Sequence, residues 1–232
     1  MKSGESWDRS VRKLEVIHEK EGVLGYIYLD LYYRPNKIAT CANFSIRVAK
    51  KLLQQKPIAC MVCAFDCTET SSGETVCLLS FSDLTTLFHE FGHALHTILG
   101  QSTYQNTSGT RTAIDFVEMP SQFMEYFVTD YRVIKGFAGH YKTDEPLPLE
   151  LFQKQVDKDR SFAAMEMQEQ VILSLADLKL FGPDGVKETP SQIFRQVREQ
   201  FSSFPYVEGT HAESKFLHFS NYAAGYYSYL FL

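Results

Sequence analysis

The run FHEFGHALH, residues 88–96, decides how the rest of this 232-residue chain is interpreted. His89 and His93 are four residues apart, so on an α-helix both imidazoles project from one face, one turn apart. Two neutral imidazoles on one face supply half of a zinc site, and Glu90 lies beside them. A carboxylate in that position can take a proton from a water that zinc acidifies. The spacing therefore predicts a metal-binding helix that carries its own general base.

The residues around this motif indicate a buried helix. Apolar side chains cover most of its circumference, whereas the alternative, a solvated amphipathic helix with two surface histidines, needs a polar face. A buried His-Glu-His set needs polar partners, and a metal ion supplies one. The arrangement fits the H-E-x-x-H pattern, in which the glutamate serves as the base of a metalloprotease. The apolar residues are Leu84, Leu87, Phe88, Phe91, Ala94, Leu95, Ile98 and Leu99.

A third ligand is expected on a neighbouring helix, because a catalytic zinc has three protein ligands and one open position. The best candidate is Glu118 in the run DFVEMPSQ, residues 115–122, which follows a connection long enough to turn the chain back. Glu125 lies two turns further along the same face and is expected to accept the free N–H of a ligating imidazole. A solvated helix edge is the alternative for both carboxylates. His96 lies about 60° off the face of His93 and suits a core or supporting position better.

Composition and charge exclude several classes of function. Hydrophobic residues make up 44% and charged residues 22% of the chain, which is ordinary for a globular protein. The net charge of −5, without a cluster of lysine or arginine, argues against nucleic acid as a partner. The apolar runs are too short to cross a bilayer, so no membrane is expected either. Residues 1–21 mix both charges and lack an apolar core, so we expect no targeting signal there.

The five cysteines are interpreted as thiols. An odd number in a chain of this size indicates free cysteines and a reducing compartment. Cys60, Cys63 and Cys67 could be read as metal ligands, but they lie in or after an apolar run and no second ligand pair follows. Buried thiols on or after a strand are the favoured interpretation.

The element pattern predicts an α+β fold, mainly α with a small antiparallel β-sheet against the zinc helix. Residues 1–22 are predicted to form a charged helix, residues 23–81 the sheet region, and residues 82–232 a helical region with the zinc site. Within the sheet region, strands are expected at 23–33, 42–48, 57–65 and 75–81, and residues 71–73 are expected to form the hairpin turn between the last two. The edge strand near 57–65 is expected to pair with a substrate backbone.

Capping signals and prolines divide the helical region. Ser82 is the expected N-cap of the zinc helix, and Gly100 ends it. A helix kinked by Pro120 is predicted over residues 115–136, and two helices over 149–181. The last long helix begins with a capping box, in which Thr189 is the cap, Pro190 the first helical residue and Gln192 the returning side chain.

Three runs together resemble the thimet oligopeptidase family of zinc metallopeptidases, and in particular its mitochondrial members. They are LGYIYLDLY at 24–32, LFHEFGHALH at 87–96 and DFVEMPSQ at 115–122. The resemblance covers most of the chain from residue 22 onward. It implies His89, His93 and Glu118 as the ligands of one Zn²⁺ ion and Glu90 as the general base. Shorter runs at 104–105, 109–111, 124–127, 130–133 and 140–141 support the choice of member.

The resemblance also draws attention to FLHFSNYAAGYYSY, residues 216–229. In the family, a histidine and tyrosines of such a segment face the zinc and donate hydrogen bonds to the oxyanion. His218, Tyr226 and Tyr229 occupy the matching positions as catalytic residues, and Tyr222 matches a tyrosine that faces the substrate. An aromatic helix face in the core is the alternative, although so many hydroxyls are rarely buried without partners.

The chain departs from the family pattern in two respects. Ser220 and Asn221 stand where family members carry glycines in a loop that flexes over the substrate. The family fold is also much larger, with two mainly helical lobes around a deep channel for extended peptides. This chain is therefore expected to be a single zincin-like catalytic region, residues 1–232, incomplete at both ends relative to the family.

The resemblance implies a zinc metalloendopeptidase whose partner is an unstructured peptide or precursor protein. For the mitochondrial members, the substrate is a precursor in the matrix from which an N-terminal octapeptide is removed. Two alternatives stay open: a general oligopeptidase, with the cytoplasm as its compartment, and a truncated product that binds zinc and peptide without turnover. The oligomeric state is left open.

Overall fold

The computed structural model has an α+β architecture and describes residues 4–71, 73–183, 186–221 and 223–230, with residues 220 and 221 by their backbone alone. Contacts divide the chain into two compact units. The first unit comprises residues 1–113 and 119–148, and the second comprises 114–118 and 149–232. Among the helices described, none combines the length and the apolar character that crossing a membrane requires.

The first unit contains a four-stranded sheet and a separate short hairpin. The strands are β1 (Arg12–His18), β2 (Gly22–Tyr32), β3 (Ala42–Arg47) and β4 (Ile58–Phe65) in the sheet, and β5 (Thr68–Glu69) and β6 (Thr75–Val76) in the hairpin. The order in the sheet is β1-β2-β4-β3. Because β2 and β4 run parallel while the two outer pairs are antiparallel, the sheet is mixed but mainly antiparallel, as expected from the sequence.

Strand β1 corrects the prediction of an N-terminal helix over residues 1–22. Residues 12–18 pair antiparallel with β2 instead, in a register that sets Leu14 opposite Ile27. The connection turns at Gly22, whose φ of +69° is a conformation that glycine adopts without strain. The prediction was wrong because local periodicity does not show the partner that β2 offers, and Leu14 and Ile17 are exposed on the strand rather than packed as a helical stripe.

The other strand predictions have mixed outcomes. The strands predicted at 23–33, 42–48 and 57–65 are confirmed as β2, β3 and β4. The prediction of a strand over 75–81 was wrong, because only the two residues of β6 are extended and paired there. The hairpin predicted between 57–65 and 75–81 was wrong in its first strand, because β6 pairs with β5 and not with β4. Position 72 of the predicted turn lies outside the described residues.

Helix α1 (Phe81–Leu99) packs on the sheet through a fully buried apolar cluster. This cluster is expected to supply much of the stability of the first unit, since burying one large apolar side chain contributes about 1.5–3 kcal/mol. Gly25 permits close packing, because a Cβ there would lie 2.7 Å from Ile98 Cδ1. The cluster consists of Ile27, Ala59, Met61, Ala94 and Ile98.

The N-terminal cap of α1 is Ser80 rather than the predicted Ser82. The Ser80 side chain accepts a hydrogen bond from the Asp83 N–H, and the Asp83 carboxylate accepts one from the Ser80 N–H, which completes a capping box. Gly100 follows the last helical residue, as predicted.

A break replaces the single helix predicted at 115–136. The segment forms α2 (Met119–Glu125), a 3₁₀ turn (Tyr126–Thr129) and α3 (Tyr131–Ile134). Since α2 begins at Met119, Pro120 lies in its first turn, where no backbone N–H is required, and the predicted kink has no cause.

The second unit is helical. It contains α4 (Leu149–Phe181), α5 (Pro190–Phe201) and α6 (His218–Asn221). The prediction of two helices over 149–181 was wrong, since α4 is continuous for 33 residues, with no proline or glycine to interrupt it. The capping box at the start of α5 is confirmed. The core of this unit consists of Ile172, Leu173, Ala176, Leu180, Ile193, Phe194, Val197, Phe219 and Tyr226.

The cysteines divide into thiols and a disulfide. Cys60 and Cys63 are buried free thiols, as predicted, and burial raises the pKa of Cys60 to about 11. Cys41 is also free. The prediction was wrong for Cys67 and Cys77, which form a disulfide across the base of the β5–β6 hairpin.

Candidate metal centre

Helix α1 brings the two histidines of the motif together. Their ring centroids lie 4.9 Å apart in an edge-to-face arrangement, and both His89 and His93 are partly buried. Glu90 follows His89 in the sequence and is 7% exposed. The helix thus presents two imidazoles and a nearly buried carboxylate within five residues.

A close approach between α1 and α2 occurs at Gly92. A Cβ at this position would collide with the Pro120 carbonyl oxygen and would lie 2.5 Å from Ser121 Cα. Ser121 is fully buried at this contact. No role was predicted for Gly92 from the sequence, although a glycine inside a buried helix is a signal of close backbone packing. The contact fixes the start of α2, directly after Glu118.

The three predicted ligands come together in the structure. His89, His93 and Glu118 each offer a ligand atom, and these atoms all lie within 4.8 Å of one another. Glu118 is 1% exposed, and a carboxylate buried to that degree requires compensation by a cation or by hydrogen-bond donors. Two imidazoles and one carboxylate are the donor set of a catalytic zinc with an open position, so these residues fit the ion.

Glu125 contacts one ring nitrogen of His89. Its Oε1 lies 2.6 Å from His89 Nδ1. A proton held at Nδ1 by this contact leaves Nε2 with the lone pair that a metal requires. This is the contact expected of Glu125 from the sequence, and its role toward an ion stays a prediction.

His96 is not among the three residues of the group. It is partly buried one turn beyond the group on α1. Burial lowers the pKa of His96, and the neighbouring His93 lowers it further. Both effects favour a neutral imidazole, as expected of a residue with a core position.

Tyr229 of the second unit is hydrogen-bonded to the ligand carboxylate. Its hydroxyl donates to Glu118 Oε1 over 3.1 Å. His218 lies in the same aromatic group, with its ring centroid 5.9 Å from that of Tyr229 and 5.0 Å from that of Phe216. Desolvation by these neighbours lowers the pKa of His218, and the charge of Glu118 opposes this shift.

Tyr226 and Tyr222 have different outcomes. Tyr226 is 6% exposed, and its hydroxyl donates to Gln170 Oε1 over 2.9 Å. Burial raises the pKa of Tyr226 to about 12. Its side chain is therefore part of the core of the second unit, which is the alternative that the sequence left open. Tyr222 lies outside the described residues.

Asp177 positions this tyrosine segment, and the sequence analysis missed it. The side chain is completely buried in α4 and accepts hydrogen bonds from the backbone N–H of Ala224 at 3.1 Å and of Tyr226 at 3.0 Å. A single aspartate within the apolar stretch 171–180 is a signal of this kind, because a buried carboxylate needs donors.

Comparison with known proteins agrees with this arrangement. The family model described as Peptidase family M3 matches residues 1–232. The chain is 45% identical to a mitochondrial intermediate peptidase from Arabidopsis thaliana, 39% identical to one from Homo sapiens and 35% identical to one from Neurospora crassa. Each comparison covers 98% of this chain but 32–34% of the relative, so the chain spans about a third of the length of the curated relatives it matches.

Proposed function

The chain belongs to peptidase family M3, and we propose that residues 1–232 form a catalytic region that uses one zinc ion to hydrolyse peptide bonds. The resemblance noted in the sequence is confirmed by the family match and by the mitochondrial intermediate peptidases among the relatives. The observation that carries the proposal is the convergence of His89, His93 and Glu118 within 4.8 Å.

Each ligand has a structural reason for its position. His89 and His93 are one turn apart on α1, and Glu118 is held at the start of α2. Glu125 orients His89 through Nδ1. When bound, zinc supplies Lewis-acid chemistry, since it polarises the scissile carbonyl and lowers the pKa of the attacking water to about 7.

The other residues of the site would move protons and bind charge. Glu90 takes the proton of the attacking water and passes it to the leaving amine. Tyr229 and His218 donate hydrogen bonds to the oxyanion that develops on the carbonyl. Tyr229 is suited to this role because its hydroxyl already lies at Glu118. Tyr226 could contribute only if its hydroxyl left Gln170, so we assign it first to positioning the segment.

The substrate is proposed to bind as an added strand. The strand predicted for this role, β4, lies between β2 and β3 and offers no free edge, so that prediction was wrong. In the described sheet β3 is an outer strand that contacts α1, and its side chains Phe44 and Ile46 are about half exposed. An extended peptide paired with β3 would gain backbone hydrogen bonds independent of its sequence.

The relatives are named mitochondrial intermediate peptidases, which supports a peptidase that acts in mitochondria. We propose removal of an N-terminal octapeptide from precursors in the mitochondrial matrix, with general cleavage of oligopeptides as the alternative. A zinc-binding and peptide-binding product without turnover is the second alternative.

The test uses the chain as given, with zinc content and cleavage of an unstructured, internally quenched peptide as the two measurements. Glu90→Gln should keep the zinc but lower the cleavage rate by roughly 10³-fold, because the base is lost and the ligands are not. His93→Ala should lose both the zinc and the activity. Glu74→Gln, at an exposed glutamate, is the matched control and should behave like the parent.

Three results would change the proposal. A Glu90→Gln variant as active as the parent would remove Glu90 from the mechanism. A folded parent that binds zinc but cleaves no peptide would favour the product without turnover. Cleavage of short peptides but not of precursors would favour the general oligopeptidase.

A further inference from the structure

The second unit contains a cavity that includes none of the residues assigned to catalysis or to the metal. Its volume is about 640 Å³, which is within the range of pockets that bind small molecules. One part of the wall is apolar and the other part is polar. The apolar part includes Leu180, Phe181, Val186 and Phe219, and the polar part includes Ser191, His211 and Glu213.

The Glu213 carboxylate has one satisfied and one unsatisfied oxygen. The side chain is 7% exposed. Its Oε1 accepts a hydrogen bond from Ser191 Oγ and lies 3.3 Å from His211 Nδ1. Its Oε2 is buried and has no hydrogen-bond partner among the described residues. An unsatisfied buried acceptor costs about 1–3 kcal/mol, so a further donor would stabilise this carboxylate.

The surroundings keep this carboxylate ionised. Burial would raise the pKa of Glu213, but hydrogen bonds from Ser191, from its own backbone N–H and from His211 outweigh burial and lower the pKa below its ordinary value. Ser191 is the second residue of α5, whose N-terminus favours negative charge. A carboxylate with one oxygen that accepts no hydrogen bond is best matched by a cationic N–H donor.

A structural role accounts for half of this arrangement. Through Oε1, Glu213 links the start of α5 to the 3₁₀ turn Ala212–Lys215. That link needs one oxygen and leaves Oε2 unexplained. The cluster is also not a nucleophilic triad, because Ser191 donates its proton to the carboxylate and His211 approaches the same oxygen. Ligand binding is the remaining interpretation.

We propose that this cavity binds a small organic cation, a primary ammonium group attached to an aromatic or branched apolar body. The ammonium pairs with the Glu213 carboxylate, and the body packs against Phe181 and Phe219. The inference goes beyond peptide hydrolysis and does not depend on it, because it uses neither the metal ligands nor Glu90.

The experiment titrates the full chain by calorimetry with 2-phenylethylammonium and, separately, with 3-phenylpropionate. The two probes share a ring and a two-carbon spacer but carry opposite charges, so the comparison needs no variant. We expect the cation to bind with a Kd near or below about 1 mM, and the anion to bind at least about tenfold more weakly.

Variants locate the site. Glu213→Gln keeps an oxygen for Ser191 but removes the charge, and it should weaken binding of the cation by about tenfold or more. Glu208→Gln is the matched control, because Glu208 is a largely exposed glutamate in the same segment. It should leave the affinity unchanged. If circular dichroism shows that Glu213→Gln does not fold, Val186→Trp is used in its place. Val186 is half exposed on the cavity wall, so a larger side chain there fills the cavity.

Several results would overturn the proposal. They are equal binding of the cation and the anion, no binding of the cation at about 10 mM, and an unchanged affinity in folded Glu213→Gln or in Val186→Trp. None of these results bears on zinc content or on peptide cleavage, so this inference and the proposed function fail separately.

Discussion

At the scale of single residues, Asp30 shows how a buried charge stabilises the first unit. The side chain is 2% exposed at the end of β2. It accepts hydrogen bonds from Trp7 Nε1 at 2.7 Å, from Arg34 at 2.6 and 2.9 Å, and from Lys37 Nζ at 2.8 Å. Burial would raise the pKa of Asp30, but these donors outweigh it and hold the pKa far below the usual range.

Replacing this charge should destabilise the protein in a way that depends on pH. Asp30→Asn leaves Lys37, whose side chain is 4% exposed, without its counter-ion, and should lower the free energy of unfolding by about 3 kcal/mol at pH 7. Because the folded pKa is depressed, the stabilisation is present above the unfolded pKa of about 4 and is lost as the pH falls below it. Urea unfolding at pH 7 and pH 3 measures both effects.

The control for Asp30 is Asp66→Asn, at an exposed aspartate, which should change the free energy of unfolding by less than about 0.5 kcal/mol. An equal loss in the two variants at pH 7 would contradict the role assigned to the buried cluster. So would a loss in Asp30→Asn that stays constant down to pH 3.

Single residues also mark what the sequence could and could not predict of the site. Helical periodicity and apolar neighbours were sufficient to choose His89, His93 and Glu118 from the sequence. The structure brings these three residues together. Gly92 and Asp177 were missed, since their functions are to contact backbone atoms far away in the sequence. Periodicity describes a face of one element and carries no information about the backbone that approaches it.

At the scale of elements, the approach of α2 to α1 can be tested at Gly92. Gly92→Ala adds a Cβ that collides with the backbone of Pro120 and Ser121, so α2 must move. Alanine improves helix propensity by about 1 kcal/mol, but strain in a packed contact costs about 1–3 kcal/mol. We expect net destabilisation and, because Glu118 directly precedes α2, zinc affinity weaker by about tenfold or more.

The two effects of Gly92→Ala are measured by urea unfolding and by competition for zinc with a chromophoric chelator. Ser82→Ala, at an exposed position in the first turn of the same helix, controls for the change in propensity and should leave zinc affinity unchanged. A Gly92→Ala variant that is more stable than the parent, with the same zinc affinity, would show that α2 does not depend on this contact.

Errors in the predicted elements have a common physical origin, which is pairing between distant segments. Residues 12–18 were predicted as helix because their partner, β2, is invisible to local periodicity. The disulfide could have been predicted from the turn at 71–73. The register that places Thr68 opposite Val76 also places Cys67 opposite Cys77, one pair further out. The hairpin predicted between the strands at 57–65 and 75–81 failed for the same reason, since β4 pairs with β2 and β3 while β6 pairs with β5.

At the scale of the whole molecule, each unit has its own buried core, so unfolding need not be a single transition. The chain has one tryptophan, Trp7, which is bonded to Asp30 on β2. Its fluorescence therefore reports on the first unit, whereas far-UV circular dichroism is dominated by helices, of which α4 and α5 in the second unit are long. Comparing the two signals separates the units.

Zinc should stabilise the first unit, because the ion binds native His89 and His93 and has much lower affinity for the unfolded chain. With free zinc at a thousand times its Kd, linkage predicts a gain of about 4 kcal/mol in the unfolding transition seen by Trp7, and a chelator should remove it. His93→Ala should show the midpoint of the chelated parent under both conditions. A parent whose Trp7 transition is the same with zinc and with chelator would contradict a site built on α1, since an ion that binds the native state must raise the free energy of unfolding.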